Sequence, residues 1–187
     1  LSATAQSIEW KQVEEETMRH FQALIRIDTS DPPGKEAPAV DYLKQVLEKE
    51  GIPVEIFALH PDRPNLVARL KGTGKKRPLL IMGHTDVVNI DPTKWKHPPF
   101  GAVRDGGYVY GRGTVDDKDN VVACLMVMLL LKRQNVPLDR DVIFLAESGE
   151  EGSVKFGIQF MVDKHYDKID AEYCLAEAGG VPRKDGK

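Results

Sequence analysis

The 187-residue chain has two cysteines, Cys124 and Cys174, and no C-x-x-C pair. Each sits in an apolar segment, so both read as buried free thiols rather than as a disulfide or metal ligands. Positive charge is not in excess. Twenty-six Lys and Arg against 29 Asp and Glu give a net charge of -3, which argues against nucleic acid as the main partner. No stretch approaches the ~18 apolar residues of a membrane span. The longest apolar run, Val121 to Leu131, reads as a buried helix. Sixteen Gly and 12 Pro are too few to indicate a long disordered tract, and internal repeats are missing. Gly111-Arg112-Gly113 lacks the third glycine of a dinucleotide loop. Gly74-Lys75-Lys76 lacks the upstream glycine and the Ser or Thr of a phosphate loop, and no G-x-S-x-G elbow occurs. Leu1-Ser2-Ala3 has neither an initiating Met nor the basic and apolar regions of an export signal. A trimmed N-terminus is expected, with cytoplasmic and exported locations both open.

What remains is an ordinary globular composition, 41% hydrophobic and 29% charged, sufficient for one well-buried domain. Ile8, Val13, Phe21, Leu24 and Ile25 fall at helical spacing and predict a helix over about 7–26. Val40, Leu43, Val46 and Leu47 mark a second helix, stopped by Gly51. Val54–Leu59 and Leu66–Leu70 read as strands around a Pro-Asp-Arg-Pro turn, and Lys71–Lys76 as a hairpin tip. Leu79–Met82 is a short apolar strand, followed by a polar, proline-rich loop to about Gly107. Then come a helix over about 117–133, a buried strand Val142–Ala146, a helix over about 153–164 and a strand near 172–176. Strands alternating with helices imply an α/β sandwich around a largely parallel sheet.

The ligand-type residues cluster just past the strands. His84 and Asp86 follow the strand Leu79–Met82, Glu150 and Glu151 follow Val142–Ala146, and Glu177 follows the last strand. Asp116 and Asp117 open the long helix. Open α/β sheets bind ligands outside the carboxyl ends of their parallel strands. One imidazole and several carboxylates are therefore expected on one edge, a set that suits zinc, with cobalt or manganese possible. A carboxylate such as Asp116 can bridge two metals ~3.5–4 Å apart. Asp86 can accept the hydrogen of the non-coordinating imidazole nitrogen. Of the adjacent pair Glu150 and Glu151, one can bind metal while the other takes a proton from an activated water. Taken singly, each has a plainer explanation: a loop histidine, helix-capping acids, or a polar turn. Convergence at strand ends is what weighs against all of them at once. His20, His60, His97 and His165 read as surface residues.

The segments Met82-Gly83-His84-Thr85-Asp86-Val87-Val88, Trp95 with Pro98-Pro99-Phe100, Gly111-Arg112-Gly113-Thr114-Val115-Asp116-Asp117-Lys118, Glu150-Glu151-Gly152-Ser153 and Glu177-Ala178-Gly179-Gly180 stand in an order and spacing that resembles the co-catalytic zinc hydrolases. That family includes aminoacylase, succinyl-diaminopimelate desuccinylase, carnosine dipeptidase and bacterial glutamate carboxypeptidase. The resemblance implies a three-layer α/β/α sandwich with a mixed, largely parallel sheet. It implies two Zn2+ (or Co2+ or Mn2+), one held by His84, Asp116 and Glu177. The other would be held by Asp116 and Glu151 with a histidine from further downstream. Glu150 would be the general base, Asp86 would orient His84, and the Asp116–Asp117 peptide would be cis. Three positions depart from the family pattern: Asp119 in place of Gly, Gly149 in place of an acid with Glu147 upstream of it, and Ala178 inside the last motif.

The activity implied is hydrolysis of amide bonds in small peptides or N-acyl amino acids. A two-zinc aminopeptidase and a non-catalytic metal-binding fragment are the rivals. The chain would be the N-terminal portion of the catalytic domain. A lid or dimerisation domain and the rest of the catalytic domain would lie outside it, the full-length protein would be a possible homodimer, and no nucleic acid or membrane partner is expected.

Overall fold

A computed structural model describes residues 8–177. In chain order the elements are α1 (Trp10–Ile25), β1 (Ser30–Asp31), α2 (Ala37–Lys49), β2 (Val54–Ala58), β3 (Pro64–Leu70), β4 (Leu79–His84), β5 (Val87–Val88), β6 (Val103–Asp105), β7 (Tyr108–Tyr110), α3 (Lys118–Arg133), β8 (Val142–Glu147), α4 (Ile158–Ile169) and β9 (Tyr173–Leu175). A short 3-10 turn covers Pro92–Lys94.

The main sheet runs β2-β3-β8-β4-β9. β2, β3 and β8 pair antiparallel, and β8, β4 and β9 pair parallel. The sheet is thus mixed, and its parallel half carries the candidate site. Side chains alternate between the two faces of a strand. Leu66, Ala68, Ile81, Phe144 and Ala146 pack under α1, α2 and α3, together with Leu43, Leu125 and Leu129. Val67, Leu80, Met82, Ile143 and Leu145 pack on the other side against Met161 and Ile169 of α4. Helices on both faces make the three layers expected. β8 is buried along its whole length, as suits a strand covered on both sides. The run Val121–Leu131 lies within α3 and forms the largest part of its buried face.

Two expectations about the elements fail. Lys71–Lys76 is not a hairpin tip, because β8 is inserted between β3 and β4. The segment crosses the end of β8 instead. Gly72 N–H donates to the Asp141 carboxylate at 2.9 Å and Thr73 N–H to the Leu138 carbonyl at 2.8 Å. The last helix begins at Ile158, about one turn later than its sequence suggests. Residues 150–157 are instead spent in turns, with Phe156 and Gly157 N–H donating three residues back to Ser153 and Val154. Cys124 is buried as expected, whereas Cys174 is exposed because all three residues of β9 lie at the open sheet edge.

Candidate metal centre

β4 and β8 run in parallel with His84 opposite Glu147, so their carboxyl ends lie side by side. β9 joins β4 with Leu175 opposite Ile81, and two further residues bring Glu177 to the same edge. His84 is 1% exposed. Its Nε2 lies 3.0 Å from Asp116 Oδ1, 3.8 Å from Glu177 Oε1 and 3.9 Å from Glu150 Oε2. Ligand atoms of His84, Asp116 and Glu177 all fall within 4.8 Å of one another. Glu151 is not among that group; burial, and after it the charge of Asp116, raise its pKa.

The other imidazole nitrogen is held from behind. His84 Nδ1 lies 3.0 Å from the Asp86 carbonyl oxygen and 3.4 Å from its carboxylate. The same carboxylate accepts the N–H of Glu150 at 3.1 Å and of Glu151 at 3.0 Å. The hydrogen bond of the imidazole thus goes to the Asp86 backbone carbonyl rather than to the carboxylate expected, and the carboxylate ties the Glu150-Glu151 turn to the histidine. The Asp116–Asp117 peptide is cis, as the motif suggests.

Asp117 does not cap α3 with its side chain. Its Oδ2 accepts the backbone N–H of His84 at 3.1 Å and the Asn120 amide at 3.2 Å. A side chain at Gly83 would strike that carboxylate at 2.6 Å, which explains the glycine before the histidine. Burial pushes the Asp117 carboxyl up to about 6.

The electrostatics are lopsided. Among the described residues no Lys or Arg forms an ion pair with Asp116, Glu150, Glu151 or Glu177, and the only cationic partner is the imidazole. Burial opposes a charge on His84, but its bond to Asp86 and the charges of Asp86, Asp117 and Glu177 outweigh it and raise the pKa to about 10. Glu177 is pushed up by burial and by Asp116, Glu150 and Asp119, against the pull of His84. One nitrogen and several oxygens, converging and short of positive charge, form a donor set that fits a divalent cation.

A second acidic group, Asp31, Glu36 and Asp86, also lies within 4.8 Å. It has its own cation. Arg63 is 4% exposed; its Nε donates to both Glu36 oxygens at 3.1 Å and its Nη2 to Glu36 at 2.6 Å and to Asp31. The guanidinium stacks 4.6 Å from the Phe156 ring centre. A side chain at Gly149 would meet Arg63 at 3.0 Å and one at Gly152 would collide with Asp31, so this network sits directly beneath the Glu150-Glu151 turn.

Three buried charged residues around the site have partners or environments that the sequence does not reveal. Arg63 bonds partners 27 and 32 residues away, so no local pattern marks it. Lys118, 1% exposed, donates to the Leu24 and Ile27 carbonyls at 3.1 and 2.7 Å, and burial lowers it to about 8. Glu147 is buried, its Oε2 has no partner, and burial lifts it to about 7; its displacement from the Glu pair was the only signal. Of the remaining histidines only His60 is exposed. His20 bonds the Tyr42 hydroxyl at 2.7 Å, His97 stacks on Tyr110, and His165 sits against Phe57 and Phe160. Each is partly buried, because an aromatic neighbour covers its ring. None joins the metal group. Ala178-Gly179-Gly180 lies outside the described residues.

Comparison with known proteins identifies relatives of the chain and of its fold. The chain is 39% identical over 141 residues to N-formyl-4-amino-5-aminomethyl-2-methylpyrimidine deformylase of Halalkalibacterium halodurans, covering 73% of this chain and 33% of that protein. It is 32% identical over 170 residues to a probable succinyl-diaminopimelate desuccinylase of Staphylococcus aureus, covering 89% of this chain and 41% of the relative. The chain thus spans about a third to two fifths of the length of these curated relatives. Among solved structures, an M20 family metallo-carboxypeptidase from Sulfolobus solfataricus superposes with a TM-score of 0.77 at 26% identity, over 89% of this chain and 38% of that one. Human carnosine dipeptidase 1 shares the fold with a TM-score of 0.74 at 20% identity, over 89% of this chain and 40% of that one. Residues 80–186 match Peptidase family M20/M25/M40, and the chain belongs to that family.

Proposed function

We propose that this chain carries the metal-binding part of a hydrolase that cleaves amide bonds in N-acyl amino acids or small peptides. The observation that supports the reading most is the gathering of Asp116, Glu150 and Glu177 around one nitrogen of a buried histidine, with no Lys or Arg among the described residues forming an ion pair with them. The names of the relatives, a deformylase, a desuccinylase, a carboxypeptidase and a dipeptidase, point to acyl groups and peptides.

In this proposal His84, Asp116 and Glu177 hold one zinc ion. Asp116 and Glu151 hold a second, together with a histidine from outside the described residues, since catalytic zinc usually has about three protein ligands. Cobalt or manganese could replace zinc. Bound there, the ions would polarise the scissile carbonyl and lower the pKa of water. Glu150, 43% exposed at its side chain and tethered by its backbone to Asp86, takes the proton from the attacking water and returns it to the leaving amine. Asp86 keeps the imidazole turned with Nε2 toward the acids. A lid or dimerisation domain and a homodimeric full-length protein complete the proposal.

The test separates base from ligand. In the zinc-loaded full-length protein, Glu150→Gln is expected to keep its zinc and lose turnover by roughly 10²–10⁴-fold, the usual scale for a general base. Glu151→Gln is expected to lose zinc first, as read by metal analysis after dialysis. Equal zinc loss in both variants would refute the assignment. Turnover only with a free substrate amine would favour an aminopeptidase, and zinc binding with no turnover on any amide would leave a metal-binding fragment.

A further inference from the structure

Beside the acid cluster lies a cavity of about 310 Å³, lined by Trp95, Tyr110, Gly111, Arg112, Gly113 and Asp116 among others. Arg112 is the only cationic residue in its wall. The guanidinium carbon lies 5.5 Å from the Trp95 ring centre. Its Nε is buried without a hydrogen-bond partner, and among the described residues the side chain has no ion pair. A partly buried guanidinium with no ion pair is costly unless an anion completes it.

The backbone fixes where Arg112 stands. Its N–H donates to the Pro99 carbonyl at 2.7 Å. Gly113 adopts a φ of +84°, and a side chain there would strike Val87 at 2.8 Å. Four residues on, the same wall ends in Asp116, 3.0 Å from His84 Nε2.

Resting on the hydrolase reading above, we propose that Arg112, backed by Trp95, is a specificity residue that binds a carboxylate of the substrate. A flat guanidinium forms paired bonds to a carboxylate, and the indole face holds its plane while limiting its freedom. The carboxylate belongs either to the leaving amino acid or to the acyl group, and both offer the same planar anion.

Direct binding by calorimetry to zinc-loaded full-length protein tests this whether or not turnover is seen. The probes are an N-acetyl amino acid, its α-carboxamide, and an N-succinyl amino acid amide. At least one carboxylate-bearing probe is expected to bind about 10- to 100-fold more tightly than the carboxamide, the scale of a charge-assisted hydrogen bond. Preference for the first probe places the carboxylate on the leaving side, and preference for the third places it on the acyl side. Arg112→Met is expected to erase the preference, and Arg112→Lys to restore part of it, since lysine keeps the charge without the fork. In kinetics the loss should fall on KM rather than kcat. Equal binding of all three probes, or a preference that survives in Arg112→Met, overturns the assignment. Absence of hydrolysis with the binding preference intact would instead overturn the hydrolase reading alone.

Discussion

Among the described residues two groups of potential ligands rich in carboxylates gather, and the two gatherings end differently. Asp31, Glu36 and Asp86 lie within 4.8 Å of one another, and so do the ligand atoms of His84, Asp116 and Glu177. In the first, Arg63 reaches Glu36 through two nitrogens and Asp31 through one, with the whole set largely out of water. In the second, Asp116, Glu150 and Glu177 are 57%, 43% and 43% exposed at their side chains and share one imidazole. Acidity alone does not distinguish the two. What distinguishes them is whether the described residues supply the counter-charge. A supplied one makes an anchor, and a missing one leaves room for an external cation. Asp86 belongs to the first group and, through His84 and the N–H groups of Glu150 and Glu151, positions the second.

Removing the resident cation should give the largest effect on folding. Arg63→Met leaves Asp31 and Glu36 buried and unpaired, and is expected to cost about 3–5 kcal/mol in urea unfolding of the metal-free protein. Burial already raises the Glu36 pKa above its ordinary 4.5, against the lowering by Arg63. Without Arg63 it rises further. A carboxyl with a raised folded pKa is penalised as pH climbs above 4.5, because ionisation then favours the unfolded chain. The deficit of the variant should therefore be largest near pH 8 and shrink toward pH 5. A deficit independent of pH would mean that lost packing on Phe156, rather than unpaired charge, explains it.

The second gathering should respond in the opposite way. Asp116→Asn is expected to shift the metal-free stability by less than about 1 kcal/mol, because its partner contact is solvent-screened. Zinc should then fail to protect it: wild type gains stability with zinc as mass action requires, and the variant gains little. If Asp116→Asn unfolds the metal-free protein as severely as Arg63→Met, the contrast between the two clusters collapses.

Much of this was legible in the sequence, because the signals are local. The apolar runs Leu79–Met82 and Val142–Ala146 became buried parallel neighbours, and chemistry-bearing residues followed each strand. The rest depended on partners distant along the chain. Asp117 looks like a helix cap, yet its carboxylate reaches back 33 residues to His84 N–H. Arg63 sits in a turn whose meaning lies in Asp31 and Glu36. The apparent hairpin at Lys71–Lys76 fails because β8, more than sixty residues later, takes the place beside β3. Strand order is a property of the assembled sheet, which local pattern does not encode.

The central claim is that one acidic cluster is completed from outside and the other from within. Crystals of the full-length protein grown with zinc, measured above and below the zinc absorption edge, test it most directly. The account predicts an anomalous peak ~2.0–2.2 Å from His84 Nε2 and from carboxylate oxygens of Asp116 and Glu177, with none between Asp31, Glu36 and Asp86. A peak in the Arg63 cluster, or zinc bound only away from His84, would contradict it.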